Sequence, residues 1–164
     1  MLHTRQLIPP LGLHTPDGRK IHAWDFKQKK NLVIAFLDLD CAMCADFMRA
    51  LASRASDLRE KEAIALVVFL APPPAAISDS LPKEIIAGCD MPGRGARAYL
   101  GDDAFSSRGL VRGGVFVADR YGELFAQWSL AGHKFPALDE IFNALEQIEI
   151  ACEDCTAPTW QTEG

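Results

Sequence analysis

Leu32 to Leu37 is an unbroken apolar run, short and rich in β-branched and aromatic residues, and it predicts a buried strand that stops at Asp38. The period then changes. Phe47, Leu51, Ala55 and Leu58 recur at offsets of four, eight and eleven, the signature of one face of a helix running from about Cys44 to Glu60. Ala63 to Leu70 has no polar alternation and predicts a central strand covered on both faces, ended by Pro72, Pro73 and Pro74. Strand, helix and strand of these lengths form a βαβ unit with parallel strands and a right-handed crossover.

The flanking regions follow the same logic. Pro16-Asp17-Gly18 is turn chemistry and predicts a small N-terminal hairpin, followed by a polar link from Asp25 to Lys30. Ile77, Leu81, Ile85 and Ile86 are spaced like a helix face within Ala75 to Gly88, although Pro82 must start or break a turn. Cys89 to Pro92 is expected to be a short extended segment, and Arg94 to Asp103 a short helix interrupted by nearby glycines. Val111 to Ala118 predicts a strand that turns through Asp119 to Glu123 into a second strand, Leu124 to Trp128. Pro136 opens a last helix, Ala137 to Ile150, with Leu138, Ile141, Phe142, Leu145 and Ile148 at core spacing. Residues 1–150 are thus expected to form one domain and residues 151–164 a polar tail.

The chemistry sits where the first strand hands over to the first helix, at Cys41-Ala42-Met43-Cys44. A thiol in the first turn of a helix faces unpaired backbone N–H groups and the positive end of the helix dipole, and both favour thiolate. Two such cysteines, two residues apart, can also close a disulfide, which makes a dithiol redox site. The same pair also fits two small buried hydrophobes or half of a zinc site. Asp38 and Asp40 oppose the helix by like-charge repulsion; they are either solvated loop acids or proton-transfer groups.

A chain of 164 residues, 49% hydrophobic and 24% charged, suits one globular domain. A formal charge of -5 argues against nucleic acid or an anionic membrane as partner. The N-terminal stretch lacks the apolar core of a secretory signal, so the expected location is cytoplasmic, where five cysteines, an odd number, would rest mostly as thiols. Cys152 and Cys155 make a second Cys-x-x-Cys, either an inert tail or, with the first pair, a four-sulfur zinc set. Cys89 is expected to be a buried small residue. The four histidines have no ligand spacing, and no cofactor is expected.

With Phe36 five residues before Cys41, the Cys41/Cys44 pair at a βα turn, the Thr-Pro-Asp-Gly-Arg hairpin and the strand closing on Asp119-Arg120-Tyr121-Gly122, the chain resembles the thioredoxin-like superfamily. More narrowly it resembles the redoxin branch of peroxiredoxins and small thiol reductases. The resemblance implies an α/β three-layer sandwich with a mixed central sheet flanked by helices. It implies a thiol-disulfide oxidoreductase with Cys41 attacking a protein disulfide and Cys44 resolving. Alternatively it implies a thiol peroxidase in which Cys44 attacks a peroxide, Cys41 resolves and Arg112, otherwise an exposed loop arginine, stabilises charge; Cys152 and Cys155 would be a C-terminal shuttle that passes electrons to the first pair, as in some peroxiredoxins. A non-catalytic redox-sensing or binding module is a further alternative. The chain departs from the thioredoxin pattern in having Gly113 and Gly114 where a cis-proline is usual, Ala35 in place of a buried acid and Asp40 in place of the Trp before the first cysteine.

Overall fold

The computed structural model describes residues 2–131 and 134–153. In the N-terminal turn Gly18 takes φ +86°, a conformation that favours glycine, and Thr15 and Asp17 are hydrogen-bonded to each other. The flanks pair as β1 (Gly12–His14) and β2 (Lys20–His22), antiparallel, as the turn residues predict. A 3-10 turn at Ala23–Phe26 leads into β3 (Asn31–Phe36), every residue of which is buried.

The predicted helix is two helices, α1 (Ala42–Ser53) and α2 (Ala55–Glu60). Arg54 leaves helical angles (φ −110°, ψ 27°), and its guanidinium lies over the Phe142 ring while bonding Asp57 and Asp139. The break leaves Leu51 and Leu58 both fully buried. Strand β4 (Ala63–Phe69) runs parallel to β3 from the pairing of Asn31 with Ala63 through Phe36 with Val68, as the βαβ reading requires.

After β4 the expectations need correction. Helix α3 (Ala75–Asp79) is one short turn, and Ile85 and Ile86 belong to strand β5 (Ile85–Cys89), not to a helix. Two facts override the helical spacing. Pro82 ends the segment, and Gly88 lies so close to β1 that a Cβ there would fall 2.8 Å from the His14 carbonyl oxygen. The extended segment therefore starts at Ile85 and ends at Cys89, which is buried. Helix α4 (Arg94–Leu100) stops at Gly101, and a small hairpin, β6 (Phe105–Ser106) with β7 (Gly109–Leu110), follows, unannounced by the hydrophobic pattern.

Strand β8 (Gly114–Ala118) begins three residues later than predicted. The N–H groups of Val111 and Arg112 both bond the Ala104 carbonyl and so are spent on the preceding loop. β9 (Leu124–Ser129) pairs with β8, and α5 (Leu138–Glu153) closes the described chain. α5 runs three residues past the expected boundary at 150, so Cys152 lies in its last turn; Cys155 lies outside the described residues, as does His133.

The seven-stranded sheet has the order β2-β1-β5-β4-β3-β8-β9, with β3, β4 and β5 parallel and the rest antiparallel. Alternation along the central strands builds two cores. Val33, Ala35 and Leu37 with Ala65, Val67 and Phe69 face α1, α2 and α5; Leu32, Ile34 and Phe36 with Leu66 and Val68 face α4 and the N-terminal segment. This is a three-layer α/β sandwich with a mixed sheet. Among the described residues no helix is long and apolar enough to cross a membrane.

Candidate active site

The C-terminal ends of β3 and β4 deliver the site. Leaving the sheet after Phe36, the chain passes through Leu37, which is buried, and then Asp38, which is exposed. Asp38 accepts the Asp40 N–H at 3.1 Å and folds the loop into a turn that delivers Cys41 to the start of α1. Cys41 is the N-cap, with extended backbone (φ −106°, ψ 113°), and its sulfur accepts the Cys44 N–H at 3.1 Å. A thiol thus does the work usually done by Ser, Thr or Asp, answering one of the orphan donors of the first helical turn.

The two thiols differ in their surroundings. Cys41 is half-buried, whereas Cys44, one turn inside, is 6% exposed. The Cys44 thiol is pushed up to about 12, first by burial, then by its hydrogen bond to Cys41 and by the charges of Cys41 and Asp38, with the Asp38 backbone N–H working against the rise. Both cysteines are free thiols. The structure therefore holds the dithiol form, with Cys44 tightly protonated behind a more accessible Cys41.

Opposite the sulfurs runs the loop from β7 into β8. Leu110, Val111, Arg112 and Gly113, together with Phe36, Leu130 and Phe135, enclose a shallow cleft with about 40 Å³ of room around Cys41 and Cys44. Gly113 is there by necessity, because a Cβ would lie 2.3 Å from the Phe36 carbonyl oxygen at the end of β3. Among the described residues the cis peptide is Met91-Pro92, after β5, and the residues that line the dithiol cleft include no proline. Phe135 stacks on Phe47 of α1, with ring centroids 5.0 Å apart, and anchors the start of α5 beside the cleft.

Arg112 lines this cleft, its Nε buried without a partner while its two terminal nitrogens are bonded elsewhere. Two N–H groups bond Asp103 at 2.9 and 3.0 Å, and one of these nitrogens also bonds the Leu100 carbonyl at 3.1 Å. Its charge is neutralised within the loop, and the carboxyl of Asp103 is held below the usual range by this partner. Asp40 is exposed and lines an adjoining groove of about 350 Å³, bounded by Asp38, Leu39, Phe69, Leu70, Ala71 and Arg108.

The helix position of Cys152 lies at the end of α5 away from the cleft. α5 starts beside the cleft and its 16 residues span about 24 Å. Near its far end Glu149 bonds Asn31, the first residue of β3, whereas Cys41 follows the last. Among the described residues no group of three His, Cys, Asp or Glu side chains stands together as a metal site. Sequence reasoning placed Gly113 at the usual cis-proline position but missed Leu110, Leu130 and Phe135 as walls of the cleft. The one available signal was the Gly113-Gly114 pair at the start of a strand, where small residues mark close backbone approach.

No protein-family model and no curated protein matches the sequence. Solved structures do match the fold. The chain is similar to the reduced 2-Cys peroxiredoxin of Plasmodium vivax, at 14% identity and a TM-score of 0.73 over 93% of this chain and 99% of that one. It is likewise similar to peroxidoxin BcpB of Mycobacterium tuberculosis, at 14% identity and a TM-score of 0.74 over 90% and 99%. A protein of Chlorobium tepidum assigned as the thiol:disulfide interchange protein DsbE superposes at 19% identity and a TM-score of 0.64 over 92% and 98%. The fold of this chain is the thioredoxin-like redoxin fold.

Proposed function

We propose that the protein is a thiol-disulfide oxidoreductase that works through the Cys41/Cys44 dithiol. The observation that carries this reading is the asymmetry of the pair: the Cys41 sulfur caps α1 and is accessible, while Cys44 is buried and holds its proton to about 12. Cys41 as thiolate attacks one sulfur of a substrate disulfide. An S–S bond forms between Cys41 and that sulfur, the substrate's own S–S bond breaks, and its second sulfur leaves as a thiolate that takes up a proton.

The mixed disulfide then changes the balance at Cys44. Once Cys41 is bonded to substrate its charge is gone, and with it the Coulomb contribution that helped hold the Cys44 proton. The Asp38 backbone N–H remains to stabilise a Cys44 thiolate. Cys44 loses its proton to solvent and attacks the Cys41 sulfur, the mixed disulfide breaks, and the substrate leaves fully reduced. Two electrons have passed from the dithiol to the substrate, and an external dithiol would return them.

The peroxidase alternative asks Cys44 to be the nucleophile and Arg112 to offer its charge. Burial of Cys44 and the Asp103 partner of Arg112 weigh against both roles. Reduction of insulin disulfides by dithiothreitol tests the proposal. Wild-type protein is expected to accelerate precipitation of the insulin B chain, and Cys41→Ser to abolish the acceleration. Equal rates with and without protein would refute it, and rapid peroxide consumption by Cys41→Ser would favour the peroxidase.

A further inference from the structure

The loop that presents Cys41 carries its own charge pattern. Asp38 lines both the dithiol cleft and the adjoining groove, and Asp40 lines the groove. Both are exposed, and among the described residues neither belongs to an ion pair. The positive charges nearby are largely accounted for. Arg112 is neutralised by Asp103, and Arg49 of α1 pairs with Asp46. Arg108, on the far wall of the groove, sets one guanidinium against two carboxylates. Apolar surface is exposed nearby, at Val111 in the cleft wall (58%) and at Met43 between the two cysteines in sequence (50%).

A substrate disulfide must lay the groups beside its sulfurs across this rim. Carboxylates there would meet two acids offset by a single guanidinium and a developing thiolate, whereas ammonium or guanidinium groups would be drawn in. Resting on the dithiol reading, we propose that Asp38 and Asp40 are specificity-determining residues that select disulfides carrying positive charge beside the scissile bond and disfavour carboxylate-bearing ones. The adjoining groove gives a flanking cationic side chain room to lie against both acids. The substrate class is therefore a disulfide within a basic segment of polypeptide, in preference to a small anionic disulfide.

The test compares three small disulfides of similar size with the reduced protein: cystamine with two ammonium groups, neutral hydroxyethyl disulfide, and dithiodiglycolate with two carboxylates. At about 20 mM salt the cystamine-to-dithiodiglycolate rate ratio should exceed that of a simple thiol by roughly fivefold, falling toward it at about 1 M. The double variant D38N/D40N keeps a side-chain oxygen at position 38 that can still accept the residue 40 N–H, and it should bring the ratio to the simple-thiol value at both salts. A wild-type ratio equal to that of the simple thiol, or one untouched by salt, overturns the selectivity while leaving the dithiol reading intact. Hydroxyethyl disulfide reacting no faster than with a free thiol overturns both. Since the salt dependence is read on wild-type protein, the result stands even if the variant folds poorly.

Discussion

Alkylation of Cys44 is the sharpest consequence of the site's asymmetry. A thiol at about 12 is ionised to roughly one part in ten thousand at about pH 8, against one part in ten for a thiol at the ordinary 9.0. Ionisation alone therefore slows its reaction with iodoacetamide about a thousandfold, before steric burial is added. Site-resolved mass spectrometry of reduced protein should find Cys41 modified first. Cys44 labelling should rise about tenfold per pH unit through pH 10 without a plateau. The Cys41→Ala variant removes two of the causes that hold the proton, the hydrogen bond and the charge of Cys41, and leaves the largest, burial. Its Cys44 profile should bend toward a plateau at lower pH than the wild type's. The pH profile, not the absolute rate, is the readout, because a smaller residue at 41 also changes access. Cys44 labelled as fast as Cys41 below pH 9, or a profile unmoved in Cys41→Ala, would refute the electrostatic account.

Two further substitutions probe the scaffold. Gly113→Ala places a methyl group 2.3 Å from the Phe36 carbonyl oxygen, a backbone atom that cannot swing aside, so it should lower unfolding stability by about 3 kcal/mol in urea titrations and slow disulfide exchange by displacing the end of β3. Asp119 accepts the N–H groups of Tyr121 and Glu123, but burial raises its carboxyl above the ordinary 3.8. A raised folded-state value means its favourable contribution is complete below 3.8 and is lost as pH rises through the folded value. Asp119→Asn, which keeps an acceptor for both bonds, should match or exceed wild-type stability at pH 7, with its advantage shrinking toward pH 3. Loss of stability at pH 7 alone would contradict the sign.

The parts of the fold that the chain spells out locally were legible. Leu32 to Leu37 and Ala63 to Leu70 announce buried strands because both faces of β3 and β4 are covered, and Pro16-Asp17-Gly18 needs no distant partner to turn. Where tertiary contact decides, the pattern misled. Ile77, Leu81, Ile85 and Ile86 keep helical spacing, yet β5 forms because β4 and β1 flank it and Gly88 admits the β1 backbone. The same holds for the site. Cys41 and Cys44 stand three positions apart in sequence and declare themselves, whereas the opposing wall comes from Leu110 to Gly113, Leu130 and Phe135, brought there by β8 pairing with β3. Arg112 lines the cleft, and its partner Asp103 stands nine residues earlier with no periodic signal linking the two.

The central claim is that the sulfur at the cap of α1 attacks and the one behind it resolves. Intact-mass analysis of the Cys44→Ser and Cys41→Ser variants, each incubated with a disulfide peptide, tests it most directly. Cys44→Ser should accumulate a stable mixed disulfide mapped to Cys41, Cys41→Ser should form none on Cys44, and wild-type protein should end as the Cys41–Cys44 disulfide with the peptide released. An adduct on Cys44 at a comparable rate, or no adduct in either variant, would contradict it.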